Sequence, residues 1–283
     1  MAAPGHAPAD AFFLDTADGP RFCLYHAPAG ECRGALVYIH PFAEEMNRSR
    51  RMAALQARAL AAQGIGVLLL DLHGCGDSGG DFGDASWDGW LRDVAAARAW
   101  IEDKTGCTAG LWGLRLGALL AVCHAQRAPT PPARLLLWQP VTIGSGYLNQ
   151  FLRLKLAGEL LAGGSDSGGT DALREALKAG ESLEIAGYAL GPALANGIDA
   201  ADARALAPRC TIDWCEVVAA PERPLPPAAA RVVDTWRLQG SRVNVHLAAG
   251  PQFWAAPETV DCPNLIAASS AALTNDPANA ADA

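Results

Sequence analysis

Residues 111–121 read LWGLRLGALLA. Everything before Gly113 in the segment AGLWG is a short apolar run with the length of a buried strand, and everything after Gly117 has the unbroken apolar character of a buried helix. The turn between them is Gly113-Leu114-Arg115-Leu116-Gly117. A strand that passes into a helix within so few residues makes a tight turn. Glycines on either side let the neighbouring backbone approach without Cβ clashes. The centre of this turn is Arg115, whose guanidinium stays protonated at any physiological pH and has no lone pair to attack a carbonyl.

Working outward, the same alternation recurs. Upstream lie the strand candidates AFFL and RFCLYH, joined through DTADGP with its Asp18-Gly19 turn signal, and then GALVYIH. After them come a helical stretch MAALQARALAAQ, with Asn47 as the expected N-cap and Gly64 as its stop, and the apolar strand IGVLLLD. Ser86 is placed to cap a helix in which Trp87, Trp90, Leu91, Val94 and Ile101 share one face. Amphipathic spacing accounts for these tryptophans as core residues. Downstream of the turn, RLLLWQ, TIDWCEVV and RVNVHLAA complete a set of eight strands. Alternating strands and helices predict an α/β fold with a mainly parallel sheet covered on both faces.

One connection exceeds a simple crossover. The stretch between RLLLWQ and TIDWCEVV holds helices at YLNQFLRLKLAGELL and DALREALKAG around a Gly/Ser-rich break, AGGSDSGGT. It reads as a lid over the strand ends. The segment PERPLPPAAA reads as a surface loop, and the tail from Ser269 as disordered. The resulting division is a core from 1 to 140, a lid insertion from 141 to 207, a second part of the core from 208 to 268, and a tail from 269 to 283.

Composition narrows the function. With 22 basic and 30 acidic residues, a net charge of -8 and no sustained basic run, the chain is not expected to bind nucleic acid. It has no basic n-region at its start and no apolar stretch of membrane-span length, so a cytoplasmic protein is expected. The eight cysteines show no CxxC pair or zinc spacing and read as reduced thiols; no metal or other cofactor is expected.

Three motifs follow in order: YIHPFAEEMNRSRR after the third strand, LLLDLHGCGDSGGDF at the fourth, and GLRLGALLA at the fifth. This succession resembles the α/β-hydrolase fold. There the third strand leads into a loop that supplies an oxyanion-hole amide, the fourth into a DxxGxGxS turn, and the fifth into the G-x-S-x-G nucleophile elbow. The resemblance implies an eight-stranded α/β-hydrolase with its lid after the sixth strand. It places Arg115 where the family carries serine. The Leu116 N-H would form half of the oxyanion hole, and an amide near Phe42 the other half. Among Asp213, Glu216 and Glu222, Glu216 lies nearest the position of the family's acid. The GPQFW segment carries Gln252 where the family has its histidine, while His246 falls inside the eighth strand. A glutamine cannot shuttle a proton near neutral pH.

The strings FAEEMN, SRRM and LWGLRLGA are similar to a narrower group, the second type of hydrolase associated with the exosortase A system, encoded beside exopolysaccharide and protein-sorting genes. Three functional expectations follow. In the first, the chain is a degenerate hydrolase whose cleft binds an anionic small molecule on Arg115, or whose arginine pairs internally with Glu44 or Glu45. In the second, it hydrolyses an ester, thioester or other acyl bond with a substitute nucleophile, Cys75 or Ser78, and His73 or His40 as base. In the third, it docks a protein of the exopolysaccharide or sorting machinery.

Overall fold

A computed structural model describes residues 8–161, 168–220 and 222–274. The main sheet has eight strands in the order β1-β2-β4-β3-β5-β6-β9-β10. Strands β1 (Asp10–Thr16) and β2 (Gly19–His26) form an antiparallel hairpin, and β2 pairs antiparallel with β4 (Ile65–Leu70). From β4 onward β3 (Gly34–Ile39), β5 (Ala109–Leu114), β6 (Arg134–Trp138), β9 (Thr211–Val218) and β10 (Val243–Ala249) are all parallel. These are the eight strands read from the sequence.

The pleat sorts successive apolar residues onto opposite faces. Val37, Ile39, Leu135 and Leu137 face one core, packed beneath α2 (Trp87–Thr105) and α3 (Leu116–Arg127). Leu36, Tyr38, Leu136 and Trp138 face a second core beneath α1 (Glu44–Ala61) and α8 (Pro263–Thr274). Runs buried on both sides explain why the strand sequences carry no polar alternation. Ser86 caps α2 as expected, its hydroxyl accepting from the Gly89 N-H at 3.1 Å.

Between β6 and β9 the chain forms α4 (Gly144–Leu161), α5 (Gly169–Lys178), the hairpin β7 (Leu183–Ile185) and β8 (Tyr188–Leu190), and α6 (Pro192–Ala200). The hairpin and α6 were not expected from sequence, because strands of three residues carry too little pattern to register. Residues 162–167 of the Gly/Ser-rich break lie outside the described residues.

Three expectations need correction. Helix α1 is capped at Ala43, not Asn47, and begins with Glu44 and Glu45, whose carboxylates suit a helix N-terminus. Helix α7 (Pro227–Leu238) takes in the last residues of PERPLPPAAA, since proline suits the first helical turn. The tail does not begin at Ser269. Helix α8 runs to Thr274, with Ser269 accepting from Trp138 Nε1 at 2.7 Å and Ser270 accepting from Gln56 Nε2 at 3.2 Å. Residues 275–283 lie outside the described residues.

Candidate functional site

Beyond the carboxyl ends of β3, β5 and β6 the chain passes through a non-glycine residue of positive φ: Ala43 at 51°, at the N-cap of α1, and Arg115 at 55° and Gln139 at 44°, each directly after its strand. Such strain gathers where a fold must aim side chains into a site. Arg115 has φ 55° and ψ -115°, and α3 starts at the next residue. A Cβ on Gly113 would meet the backbone of Ala118, and one on Gly117 would meet the carbonyl oxygens of Ile39 and His40. The elbow is therefore built as the glycine spacing predicts. The Arg115 N-H donates to Trp138 O at 3.0 Å, and its carbonyl accepts from the N-H groups of Ala118 and Val141, each at 3.1 Å. Leu116 opens α3, where first-turn N-H groups have no partner inside the helix.

The arginine side chain is held by three residues. Its Nε donates to Glu45 Oε1 at 3.3 Å, while the Tyr147 hydroxyl, from α4, donates to Glu45 Oε2 at 3.1 Å. Its guanidinium carbon lies 5.7 Å from the ring centre of Tyr147 and 5.6 Å from that of Trp254, within cation–π range of both. Among the described residues no group engages its two terminal nitrogens, and the side chain keeps 20 % of its surface. Burial pushes the Glu45 carboxyl above its ordinary value, against Arg115 and the Tyr147 hydroxyl, which pull it down. Burial and the neighbouring Glu45 raise Tyr147 well above its own. Glu44 makes no such pair: its Oε2 is buried without a partner among the described residues.

Glu216 stands near the end of β9, where the resemblance places an acid, but no base among the described residues meets it. Gln139 Nε2 donates to Glu216 Oε1 at 2.8 Å and Trp214 Nε1 to Oε2 at 2.9 Å. Burial raises this carboxyl, with Trp214, Arg115 and Gln139 opposing. Gln252 is exposed on the loop after β10, and Glu222 is exposed on the loop after β9. His246 and Asp213 form a separate group lower in the sheet. His246 Nε2 lies 3.0 Å from Asp213 Oδ1, and Asp213 also accepts from Arg134 Nη2 at 2.6 Å and Asn244 Nδ2 at 3.1 Å.

The substitute catalytic group is not assembled. Ser78 Oγ donates to Asp71 O at 2.6 Å and accepts from the Phe22 N-H at 2.8 Å, tying β2 to the end of β4. Cys75 is buried, and that burial, with Asp71 and Asp93 nearby, pushes its thiol far up, so the thiolate needed for attack is suppressed. His40 Nδ1 lies 2.7 Å from Pro41 O and its Nε2 accepts from the Leu72 N-H at 3.2 Å. With Nδ1 as donor the ring is a neutral structural tie, and burial lowers its basicity. His73 donates its backbone N-H to Asp93 and packs its ring on Gly80. Phe42 is buried against Phe151 of α4, their ring centres 4.9 Å apart. Its side chain thus helps seat the insertion.

Sequence reading missed Gln139, Tyr147 and Trp254. Only the position of Gln139 directly after an apolar strand hinted at a role. The two aromatics read as ordinary packing residues.

A doubly covered, mostly parallel eight-stranded sheet with a glycine-flanked elbow after β5 defines an α/β-hydrolase-fold protein. Residues 30–168 match the Hydrolase_4 family, serine aminopeptidase S33. Protein ABHD12B of Homo sapiens is 31% identical over 113 residues, a match spanning 40% of this chain and 30% of that protein. Among solved structures, Est1E from Butyrivibrio proteoclasticus with ferulic acid bound superposes with a TM-score of 0.62 at 15% identity, over 93% of this chain and 96% of its own. A soluble variant of monoglyceride lipase from Saccharomyces cerevisiae gives 0.62 at 11% identity, over 95% and 96%. XC6422 from Xanthomonas campestris, described as a serine hydrolase without a lid, gives 0.56 at 17% identity, over 98% and 96%. No helix among the described residues is long and apolar enough to cross a membrane.

Proposed function

We propose that the chain is a non-hydrolytic α/β-hydrolase-fold protein whose cleft holds an anionic small molecule, a carboxylate, phosphate or acidic sugar, on Arg115. The observation that carries this reading is the division of labour within the guanidinium. Glu45 takes the Nε edge, the rings of Tyr147 and Trp254 each lie within cation–π range, and both terminal nitrogens stay unengaged among the described residues. A cation fixed in this way is pre-organised for two-point recognition of an anion, at the N-terminus of α3 where the helix dipole adds to the attraction. Glu45 acts here as the residue that orients the arginine. Gln252, at the exposed loop, supplies a neutral donor and acceptor at the rim.

Hydrolysis by Cys75 or Ser78 loses support because one thiol is buried and protonated and the one hydroxyl is committed to the backbone. The similarity of the FAEEMN and LWGLRLGA strings to the exosortase-associated group extends the proposal to a place beside exopolysaccharide or protein-sorting machinery in the cytoplasm, where the loaded protein would dock one of its components.

A thermal-shift titration with phosphate, acetate and glucuronate tests the proposal. At a hundredfold excess over Kd a ligand adds about 2.7 kcal/mol, a rise of several degrees, and Arg115→Met should abolish it. If no anion shifts the transition, Arg115 is an internal tie only. Ester or acyl-thioester turnover lost on Cys75→Ala or Ser78→Ala would restore the enzyme reading.

A further inference from the structure

All eight cysteines carry free thiols, and five of them are buried. Cys32 and Cys107 are half-exposed, and their sulfurs lie 3.4 Å apart although the residues are 75 positions apart in the chain. The sheet brings them together. Strands β3 and β5 are parallel neighbours in the register Ala35↔Ala109, so the residues just ahead of each strand meet at the amino-terminal rim. Adjacent strands run about 4.8 Å apart, inside the Cα separation of about 4.4–6.8 Å that a disulfide accepts. Closing the sulfurs to about 2.05 Å takes a movement of little more than 1 Å, which side-chain rotation supplies. Cys107 Sγ lies within hydrogen-bonding reach of Cys32 Sγ, so each sulfur already faces the other.

We propose that Cys32 and Cys107 form a reversible disulfide, made by exchange with a small-molecule disulfide of the glutathione class. The Cys32 thiolate attacks one sulfur of glutathione disulfide, forming a mixed disulfide and expelling one glutathione thiolate. Cys107 then loses its proton to solvent and attacks Cys32 Sγ, expelling the second. The protein has given up two electrons and two protons, and the oxidant leaves as two reduced glutathiones. The new bond staples β3 to β5 across a span that includes α1, β4 and α2. Arg115 lies eight residues beyond Cys107, about 26 Å along the strand at 3.3 Å per residue. The staple is therefore a modification of the opposite rim, independent of anion binding.

The full-length protein is equilibrated with glutathione disulfide, alkylated, and examined by intact mass and peptide mapping, with thermal melting alongside. The expected product is about 2 Da lighter than the reduced protein before alkylation and takes up two fewer alkyl groups after it; it is linked Cys32 to Cys107 and melts several degrees higher than the reduced form because a long loop has been closed. Cys32→Ser and Cys107→Ser each lose the link and the rise while melting like the reduced wild type. Separate glutathione adducts on the two residues, a link to any other cysteine, or two thiols that stay fully alkylatable would each overturn the proposal.

Discussion

Replacing Arg115 with methionine keeps an unbranched chain between Tyr147 and Trp254 and removes the charge. The Arg115–Glu45 pair has a 3.3 Å contact and side chains 20 % and 14 % exposed. Exposed pairs contribute about 0.2–1 kcal/mol, whereas stripping one partner from a fully buried pair costs about 3–5 kcal/mol. This pair sits between those limits, at about 2 kcal/mol by interpolation. The two ring contacts together add about 1 kcal/mol. Arg115→Met should therefore lower the unfolding free energy by about 3 kcal/mol at pH 8. Glu45 has a raised folded pKa, so its protonated form is favoured by the fold; that advantage is present below the unfolded value and is lost as pH rises through the folded one. Removing Arg115 raises it further. The charge-dependent share of the loss must then fade as pH drops toward the ordinary glutamate value of about 4.3, leaving about 1 kcal/mol at pH 4. Urea denaturation at both pH values, with Glu45→Gln and the double variant completing a cycle, reads the coupling directly. A loss that is equal at pH 8 and pH 4, or a coupling near zero at pH 8, would refute the pairing.

Ser78→Ala should cost about 2–3 kcal/mol in urea unfolding, because it strands the Phe22 N-H and the Asp71 carbonyl; an unchanged midpoint would contradict the structural role given to this hydroxyl. Gly117→Ala should destabilise by about 3 kcal/mol or more, its methyl meeting the carbonyls of Ile39 and His40, whereas Gly146→Ala in α4, where a Cβ meets nothing, should be neutral or slightly stabilising. Equal effects of the two on the melting temperature would argue against a tight elbow. Asp213 is held below its usual value despite burial, through His246, Arg134 and Asn244. Its contribution is present above the unfolded value of about 3.9 and is lost as pH falls through the folded one. Asp213→Asn should therefore flatten the acid limb of stability below pH 4, and an unaltered limb would place the acid-sensitive group elsewhere.

The Cβ-free contacts at Gly113 and Gly117 explain why the elbow was legible with an arginine at its centre: the backbone fixes these glycines whatever side chain stands between them. The same holds for the alternating strands, whose two-sided burial writes itself as apolar runs. Polar segments were less legible. The serines of α8 read as tail because nothing local shows that Trp138 and Gln56 wait to bond them. Glu45 was one of two acids named for Arg115, and sequence had no means to choose. The structure chooses by direction, since Oε1 of Glu45 reaches Nε while Oε2 of Glu44 is buried without a partner among the described residues.

The eight strands of the main sheet, the glycine-built elbow and the presence of arginine at its centre were all readable along the chain, because they depend on apolar runs, glycine spacing and residue identity at a few neighbouring positions. That Tyr147 and Trp254 both come within cation–π range of the arginine, that Gln139 and Trp214 occupy both oxygens of Glu216, and that Cys32 meets Cys107 emerges from the folded chain alone. Each of those meetings is set by strand register or by packing of an insertion on the sheet, and side-chain direction across such distances is not encoded in any local pattern.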